Sequence, residues 1–316
     1  MNSNNRELKP ESREPKHPGL FSQRRAKDTL AAYLFLAPAL VAFLLFFGLP
    51  ILITVGLCFA KYDLITPMRF TGWENFHQFL GDPQNGTVFK NTFKFLLVLV
   101  PAHVVVGLLL ALSVSRKISK GLKYLYRSAI YFPTVVTTAS VAILWGYLYS
   151  TNFGALNYLL GLIGIPTVPW LSSVHWVIPT VMIFSLWKFV GNSFMFYFIG
   201  LQNVPESFYE AAEIDGANKM QVFWKVTLPM LSPTIFFVLI YNCLNVIQIF
   251  DEPYFLTKGG PGDASLTVVL HLFRKAFQSY EIGYASLYAL ALFVIGLVLT
   301  ALQFGLQKKW VNYDYE

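Results

Sequence analysis

Polar and apolar positions in this chain segregate into long charge-free runs. Asp28 and Lys61 enclose 32 uncharged residues, Lys94 and Arg116 enclose 21, Lys225 and Asp251 enclose 25, and Glu281 and Lys308 enclose 26. A helix needs roughly 20 apolar residues to cross the hydrocarbon core, so each run reads as one span. The longest gap, 60 residues between Arg127 and Lys188, is too long for one. It is interrupted by Asn152, Gly154, Asn157, Gly161, Gly164, Pro166 and Pro169, which read as an exposed connection between two spans. Six membrane helices are therefore expected, at about 31–58, 92–115, 128–149, 176–201, 231–250 and 283–307. Prolines 38, 50, 101, 133 and 179 fall inside these helices or at their ends. Bundle neighbours can satisfy the carbonyls that proline frees, so kinks are expected and not breaks.

Composition removes the alternatives. Of 316 residues, 55% are hydrophobic and 13% charged. That is about half the charged share of a soluble domain, too little to cover a soluble surface. With two cysteines and no tripeptide period, a disulfide scaffold and collagen are excluded. Cys58 and Cys243, in or beside spans, are expected to be free buried thiols. The fold class is an all-α polytopic membrane protein.

The net charge of +7 then becomes a topological label. Lys and Arg number seven in the first 29 residues, five in 116–127, two in 202–230 and two at the C-terminus. That places 16 of 24 on one side, and the positive-inside rule puts both termini in the cytosol. The apolar run after the polar tail is too long for a signal sequence, so residues 1–29 read as a retained cytosolic tail. Residues 30–310 form the membrane domain and 311–316 a cytosolic end.

One cytosolic loop, 202–230, is too long for a plain helix connection. Asn203 is expected to cap a short helix reaching about Ile214, with Pro205 and Glu206 in its first turn. Asp215-Gly216 would turn the chain, and a second helix from about Asn218 would end at Leu228-Pro229. Ala211 and Ala212 make one face small enough to enter a groove. The order Glu210-Ala211-Ala212, Asp215-Gly216-Ala217, Phe223 and Leu228-Pro229 resembles the EAA loop of binding-protein-dependent ABC importer permeases. Tyr254 to Gly262, Ala276-Phe277, Gly283-Tyr284-Ala285, Gly72 to Phe76, Gly154 to Asn157 and Trp187-Lys188 resemble the maltose and glycerol-phosphate type of sugar permease.

The resemblance implies a type I ABC importer permease fold in a bacterial or archaeal cytoplasmic (inner) membrane. Its implied partners are a second homologous permease, two copies of a cytosolic ABC ATPase and an extracytoplasmic sugar-binding protein, with carbohydrate as substrate and lipid around the helices. Glu210, Ala211, Ala212, Asp215, Gly216, Leu228 and Pro229 would couple to the ATPase. Sugar contacts carried over by landmark fall on Thr134, Thr138, Lys188, Asn192 and Asn245, and Gln248 adds a polar group at i+3 from Asn245. Each could equally make an interhelical hydrogen bond. Lys188, mid-span, either lines the path or bonds to carbonyls that hold the gate.

The remaining chemistry is read from absences in the sequence. No Gly-x-x-x-x-Gly-Lys-Ser/Thr loop occurs, so ATP and magnesium belong to a partner, and no cofactor, metal or catalytic residue is expected here. No Asp or Glu falls inside the six spans, which argues against a proton-driven carrier. A sodium-coupled sugar carrier and a non-transporting scaffold subunit remain as rival readings. His17, His77, His103, His175 and His271 are scattered, and His103 is expected to be the buried one, as a satisfied packing residue. Gly259-Gly260-Pro261-Gly262 should form a tight exposed external bend. Nothing points to nucleic acid.

Overall fold

The computed structural model describes residues 18–115 and 119–312. Most of the expected tail, with Arg116, Lys117 and residues 313–316, lies outside the described residues. The chain divides into two units, 1–53 and 54–316. The first holds α1 (Pro18–Phe43), a π-helical turn, Leu44–Gly48, and the start of α2 (Leu49–Leu57), which runs across the boundary. Helix therefore begins well before the apolar stretch, which runs Ala31–Leu57. Phe43 and Phe47 stack across the π turn at 5.6 Å.

The second unit opens on a short antiparallel pair, β1 (Ala60–Lys61) and β2 (Arg69–Phe70), followed by α3 (Glu74–Gly81). Then come α4 (Pro83–Ser115), α5 (Lys120–Val135), α6 (Thr138–Leu148), α7 (Ala155–Leu162) and α8 (Val177–Gln202). The 202–230 loop carries α9 (Glu206–Ile214), α10 (Lys219–Val222), a π turn Phe223–Thr227 and α11 (Leu228–Met230). The chain closes with α12 (Ser232–Ile247), α13 (Asp251–Thr257), α14 (Val268–Phe273), a π turn Arg274–Gln278 and α15 (Ile282–Gln307). Four helices are long and apolar enough to cross a membrane, and six spans result if each of two bent pairs counts as one. In lipid every backbone group must be satisfied within the protein, which is why the apolar runs fold as helix.

At the centre of the second unit α8 packs against α4, α5 and α12. Gly191 is what lets α5 come close: a Cβ there would lie 2.6 Å from Thr134 Oγ1 and 2.8 Å from Ile130 O. Small residues at such crossings replace the hydrophobic drive that is missing between helices in lipid. The buried residues follow from this arrangement, with Phe95, Leu99, Val181 and Val246 in one cluster and Val114, Phe194, Tyr197 and Val238 in another.

Three expectations need correction. The third span is not one kinked helix over 128–149, because α5 and α6 meet at 100° across a break at residues 136–137. Pro133 removes one ladder donor and Thr137, extended at φ −61 and ψ 136, starts a new helix. Second, the connection after α6 is not simply exposed. Buried Asn157 donates to Val168 O and accepts from Val168 N and Trp170 Nε1, pinning a cap over the helix ends. Third, the Gly259–Gly262 bend is exposed only at Gly262, since Gly259 is buried. Asn91 holds the following residues by donating to Asp263 O and Leu266 O, both at 3.1 Å. Cys58 and Cys243 are both free and buried.

Candidate functional site

Two sets of polar residues stand apart from the apolar packing: a helix pair on the loop before α12, and a cavity between the spans. On the loop, α9 starts at Glu206 behind Pro205, and Asn203 closes α8 instead of capping α9. The expected N-cap is thus displaced by two residues, because α8 runs on to Gln202. Asp215 and Gly216 make the turn, with Gly216 at φ +71, a conformation in which only glycine is unstrained. Asn218 then forms a full capping box, its side chain accepting from Met220 N and Gln221 N while Gln221 Oε1 accepts from Asn218 N. Leu228 and Pro229 do not end this helix but continue it to Met230, after which the chain bends by 65° into α12.

Among the described residues, none covers the outer face of that helix pair. No residue of α9 is buried, and Glu210, Ala211, Asp215 and Gly216 are exposed. Ala212, Leu228 and Pro229 are half-buried. Ile214 is 86% exposed and Met220 66%, with Trp224 and Phe208 beside them in sequence also open. Apolar groups of this size on a polar loop have no reason to remain uncovered in the assembled protein.

The cavity lies among α4, α8, α12 and α13 and has a volume of about 230 Å³. Asn192 reaches it from α8, and Asn245 and Gln248 from the end of α12, so three residues expected on the substrate path meet here. Asn192 Nδ2 donates to Tyr241 OH at 3.1 Å, joining the two walls. Phe189 supplies an aromatic face. Tyr241, Asn242, Ser185, Asp251 and Glu252, which carry no motif in the sequence, also line the space. The stripe Tyr241, Asn245, Gln248 follows the 3.6 period and is visible in the sequence once the inward face is known.

Glu252 sits just beyond the expected end of the fifth span, where an acid carries no signal of burial. In the structure α13 folds back against α8, and Glu252 is 6% exposed, accepting from Ser185 Oγ at 2.6 Å. His103 is buried as expected, yet it is not fully satisfied. Its Nδ1 lies 2.8 Å from Leu99 O, while Nε2 has no partner, and the ring lines the cavity. It is also not the one buried histidine: His271 in α14 is 3% exposed with both ring nitrogens unpartnered. Outside the spans, desolvation and then the charge of Lys275 push the His271 pKa down.

Thr134, Thr138 and Lys188 do not line this cavity. Lys188 is 1% exposed, and its Nζ donates to Pro133 O at 2.6 Å, Thr134 O at 3.2 Å and Val136 O at 2.7 Å. Pro133 and Thr134 lie in the last turn of α5 and Val136 is its C-cap, and the break leaves their carbonyls without helical partners. The ammonium therefore caps the negative end of a broken helix from a neighbouring one. Thr134 Oγ1 returns a bond to Lys188 O at 3.2 Å. Thr138 is half-buried in the first turn of α6. Among the described residues no group of three or more His, Cys, Asp or Glu could hold a metal ion.

Comparison with known proteins gives this arrangement a context. The family model described as binding-protein-dependent transport system inner membrane component matches residues 103–312. A probable ABC transporter permease protein of Bacillus subtilis (strain 168), YesP, is 36% identical over 293 residues, 91% of this chain and 94% of its own. The sulfoquinovosyl glycerol transport system permease protein SmoG of Agrobacterium fabrum is 31% identical over 87% of this chain and 89% of its own. Among solved structures, a bacterial ABC transporter involved in the import of the acidic polysaccharide alginate contains a chain that superposes with a TM-score of 0.76. It covers 92% of this chain and all of that one at 22% identity, which establishes a common fold.

Proposed function

Because this chain belongs to the family of binding-protein-dependent transport system inner membrane components, the permease subunits of ABC importers, we propose that it carries a carbohydrate through the cavity between α4, α8, α12 and α13. The family assigns ATP hydrolysis to a separate subunit, so the chain is not an enzyme, and its relatives give no support to a sodium-coupled carrier or a passive scaffold. The relative from Agrobacterium is named for sulfoquinovosyl glycerol and the structural relative for the acidic polysaccharide alginate, and this favours the carbohydrate class.

In this reading the chain forms half of the path, and a second homologous permease forms the other half. Two ATPase subunits bind ATP and magnesium in the cytosol, and an extracytoplasmic binding protein delivers the sugar. Both termini and the α9–α11 loop face the cytosol of a bacterial or archaeal cell, in line with the distribution of Lys and Arg. The residues of α9 and the turn, Glu210, Ala211, Ala212, Asp215 and Gly216, seat against the ATPase, with Leu228 and Pro229 fixing the return to α12. The open apolar side chains of Ile214, Met220 and Trp224 would be covered there. Moving a two-state bundle from 1:99 to 99:1 takes about 5.5 kcal/mol. ATP binding and hydrolysis in the partner would supply it.

The observation that carries the sugar reading is the cavity lining: Asn192, Asn245 and Gln248 offer amides, Tyr241 a hydroxyl and Phe189 a ring face. Sugars are bound by these groups, amides pairing hydroxyls and aromatic faces taking the ring. Thr134, Thr138 and Lys188 act one layer back, holding the α5–α6 break on which the wall rests. Uptake by the reconstituted importer tests this. Asn192→Ala and Asn245→Ala should each raise the half-saturating sugar concentration about tenfold, the loss of roughly one good hydrogen bond. Unchanged uptake and unchanged sugar-stimulated ATPase activity in both would place the path elsewhere.

A further inference from the structure

The first half of α5 carries a row of cations with nothing of opposite sign beside it. Lys120, Lys123 and Arg127 stand at i, i+3 and i+7, on one face of the helix. No Asp or Glu occurs between Asp82 and Glu206, and no acid pairs with these three among the described residues. Arg116 and Lys117 extend the cluster in sequence and lie outside the described residues. Lys120 is exposed, and Lys123 and Arg127 are half-buried. The Arg127 guanidinium lies over the Phe198 ring of α8, 4.4 Å from its centroid. Stacking fixes the plane of the group and leaves its N–H edges free, in the fork that suits a phosphate.

Helix geometry gives the depth of this row. Thr134 Oγ1 donates to Lys188 O, and Lys188 is near the middle of α8, so the last turn of α5 lies at mid-membrane. At 1.5 Å per residue, Arg127 is about 10 Å from that level and Lys120 about 21 Å. Half of the hydrocarbon core is about 15 Å, so the cations bracket the boundary with the lipid headgroups. Phe198 reaches the same boundary along the other helix, about 15 Å from Lys188. Tyr124, 67% exposed, and Leu125, 65% exposed, flank the cations at this depth. Tyrosine favours the membrane–water boundary, where one end of its ring is apolar and the other wet. The open flank continues along α5 into the span through Phe132 and Val135.

We propose that Lys120, Lys123 and Arg127 form a binding site for the phosphate headgroup of an anionic phospholipid, in the leaflet next to the α9–α11 loop. Each cation at such a surface raises affinity for an anionic lipid about fivefold. An acidic protein would need the row to stand clear in water and would leave the flank of Tyr124 and Leu125 open, whereas a phospholipid covers both, its phosphate on the cations and its chains along the flank. The site is separate from the cavity and does not depend on what passes through it.

Photocrosslinking from this one position tests the proposal. The complete importer, with p-benzoylphenylalanine in place of Tyr124, is set in nanodiscs of equal phosphatidylglycerol and phosphatidylcholine with the same acyl chains. Mass spectrometry should find adducts of phosphatidylglycerol about tenfold over those of phosphatidylcholine. Lys123→Gln and Arg127→Gln should each lower that ratio about fivefold, and Lys123→Arg should keep it. Lys120 is exposed, so Lys120→Gln tests the row even if Arg127→Gln fails to fold, and ATP hydrolysis by the complex reports which variants are intact. Equal adducts of the two lipids would overturn the proposal, and so would a ratio that Lys120→Gln and Lys123→Gln both leave unchanged. Crosslinking chiefly to the ATPase or to the second permease would assign the row to a protein partner instead. A preference abolished by inorganic phosphate, but kept in sodium chloride of equal ionic strength, would make it a site for a free anion and overturn the lipid assignment.

Discussion

The α9–α11 helix pair and the Lys188 clamp are both polar features of the second unit, and they differ in where their partners lie. On the loop the defining contacts are local: the capping box spans Asn218 to Gln221, and the turn rests on the φ of Gly216. Ile214, Met220 and Trp224 on it are exposed among the described residues. Lys188 instead reaches the carbonyls of Pro133, Thr134 and Val136, more than fifty residues earlier, and is buried by them. The first leaves apolar side chains exposed among the described residues, and the second closes a defect inside the fold. Damage to the loop should therefore cost transport and spare the fold, whereas damage to the clamp should cost the fold first.

Gly216→Pro should break this comparison most visibly. Proline cannot adopt φ +71, so the turn and the position of α9 are lost. Uptake by the reconstituted importer should fall to background while membrane insertion and thermal stability of the permease stay near the original. Glu210→Ala should act in the same direction. Transport that survives both would mean the loop is not where the energy enters.

Lys188→Met should show the opposite profile. It leaves three buried carbonyls without their donor, a loss of about 3 kcal/mol or more, seen as a lower unfolding temperature of the purified protein. Should stability hold while the half-saturating sugar concentration rises, Lys188 would belong to the path and not to a structural clamp. Asn218→Ala is a finer probe. It removes the capping box at a cost of about 1 kcal/mol, and hydrogen exchange should quicken in α10 without spreading into the spans.

The smallest effect concerns pH. His271 is pushed below its ordinary pKa, chiefly by burial, so the unfolded chain takes up a proton that the folded chain resists. Stability should then decline as pH falls below about 6.5, where the unfolded histidine charges. His271→Phe should flatten that slope in thermal melts of the purified protein, and an unaltered slope would assign it to other groups.

Much of the fold was legible because the bilayer imposes a coarse rule. Charge-free runs of sufficient length must be helices, and α15 coincides with the run between Glu281 and Lys308. Charge marks the other ends less well, since α4 begins at Pro83, before Lys90 and Lys94, and α8 carries Lys188 in its interior. The loop was legible because its signals are short-range. Asn203 misled for the same reason: a good capping residue signals the start of a helix, but packing carried α8 through to Gln202. The cavity was legible in part, through the i, i+3 pair of Asn245 and Gln248 on one helix.

By itself the sequence determined the membrane class, the helical spans and the short helices of the 202–230 loop, since each depends on composition or on neighbours within about a turn. Only the tertiary structure decided that Pro133 lies before a break and not a kink, that Lys188 serves as its cap, and that Glu252 returns to the bundle beside Ser185. Those outcomes depend on which distant backbone groups are left unpaired, and unpaired groups in a low-dielectric interior must find a partner wherever the packing brings one.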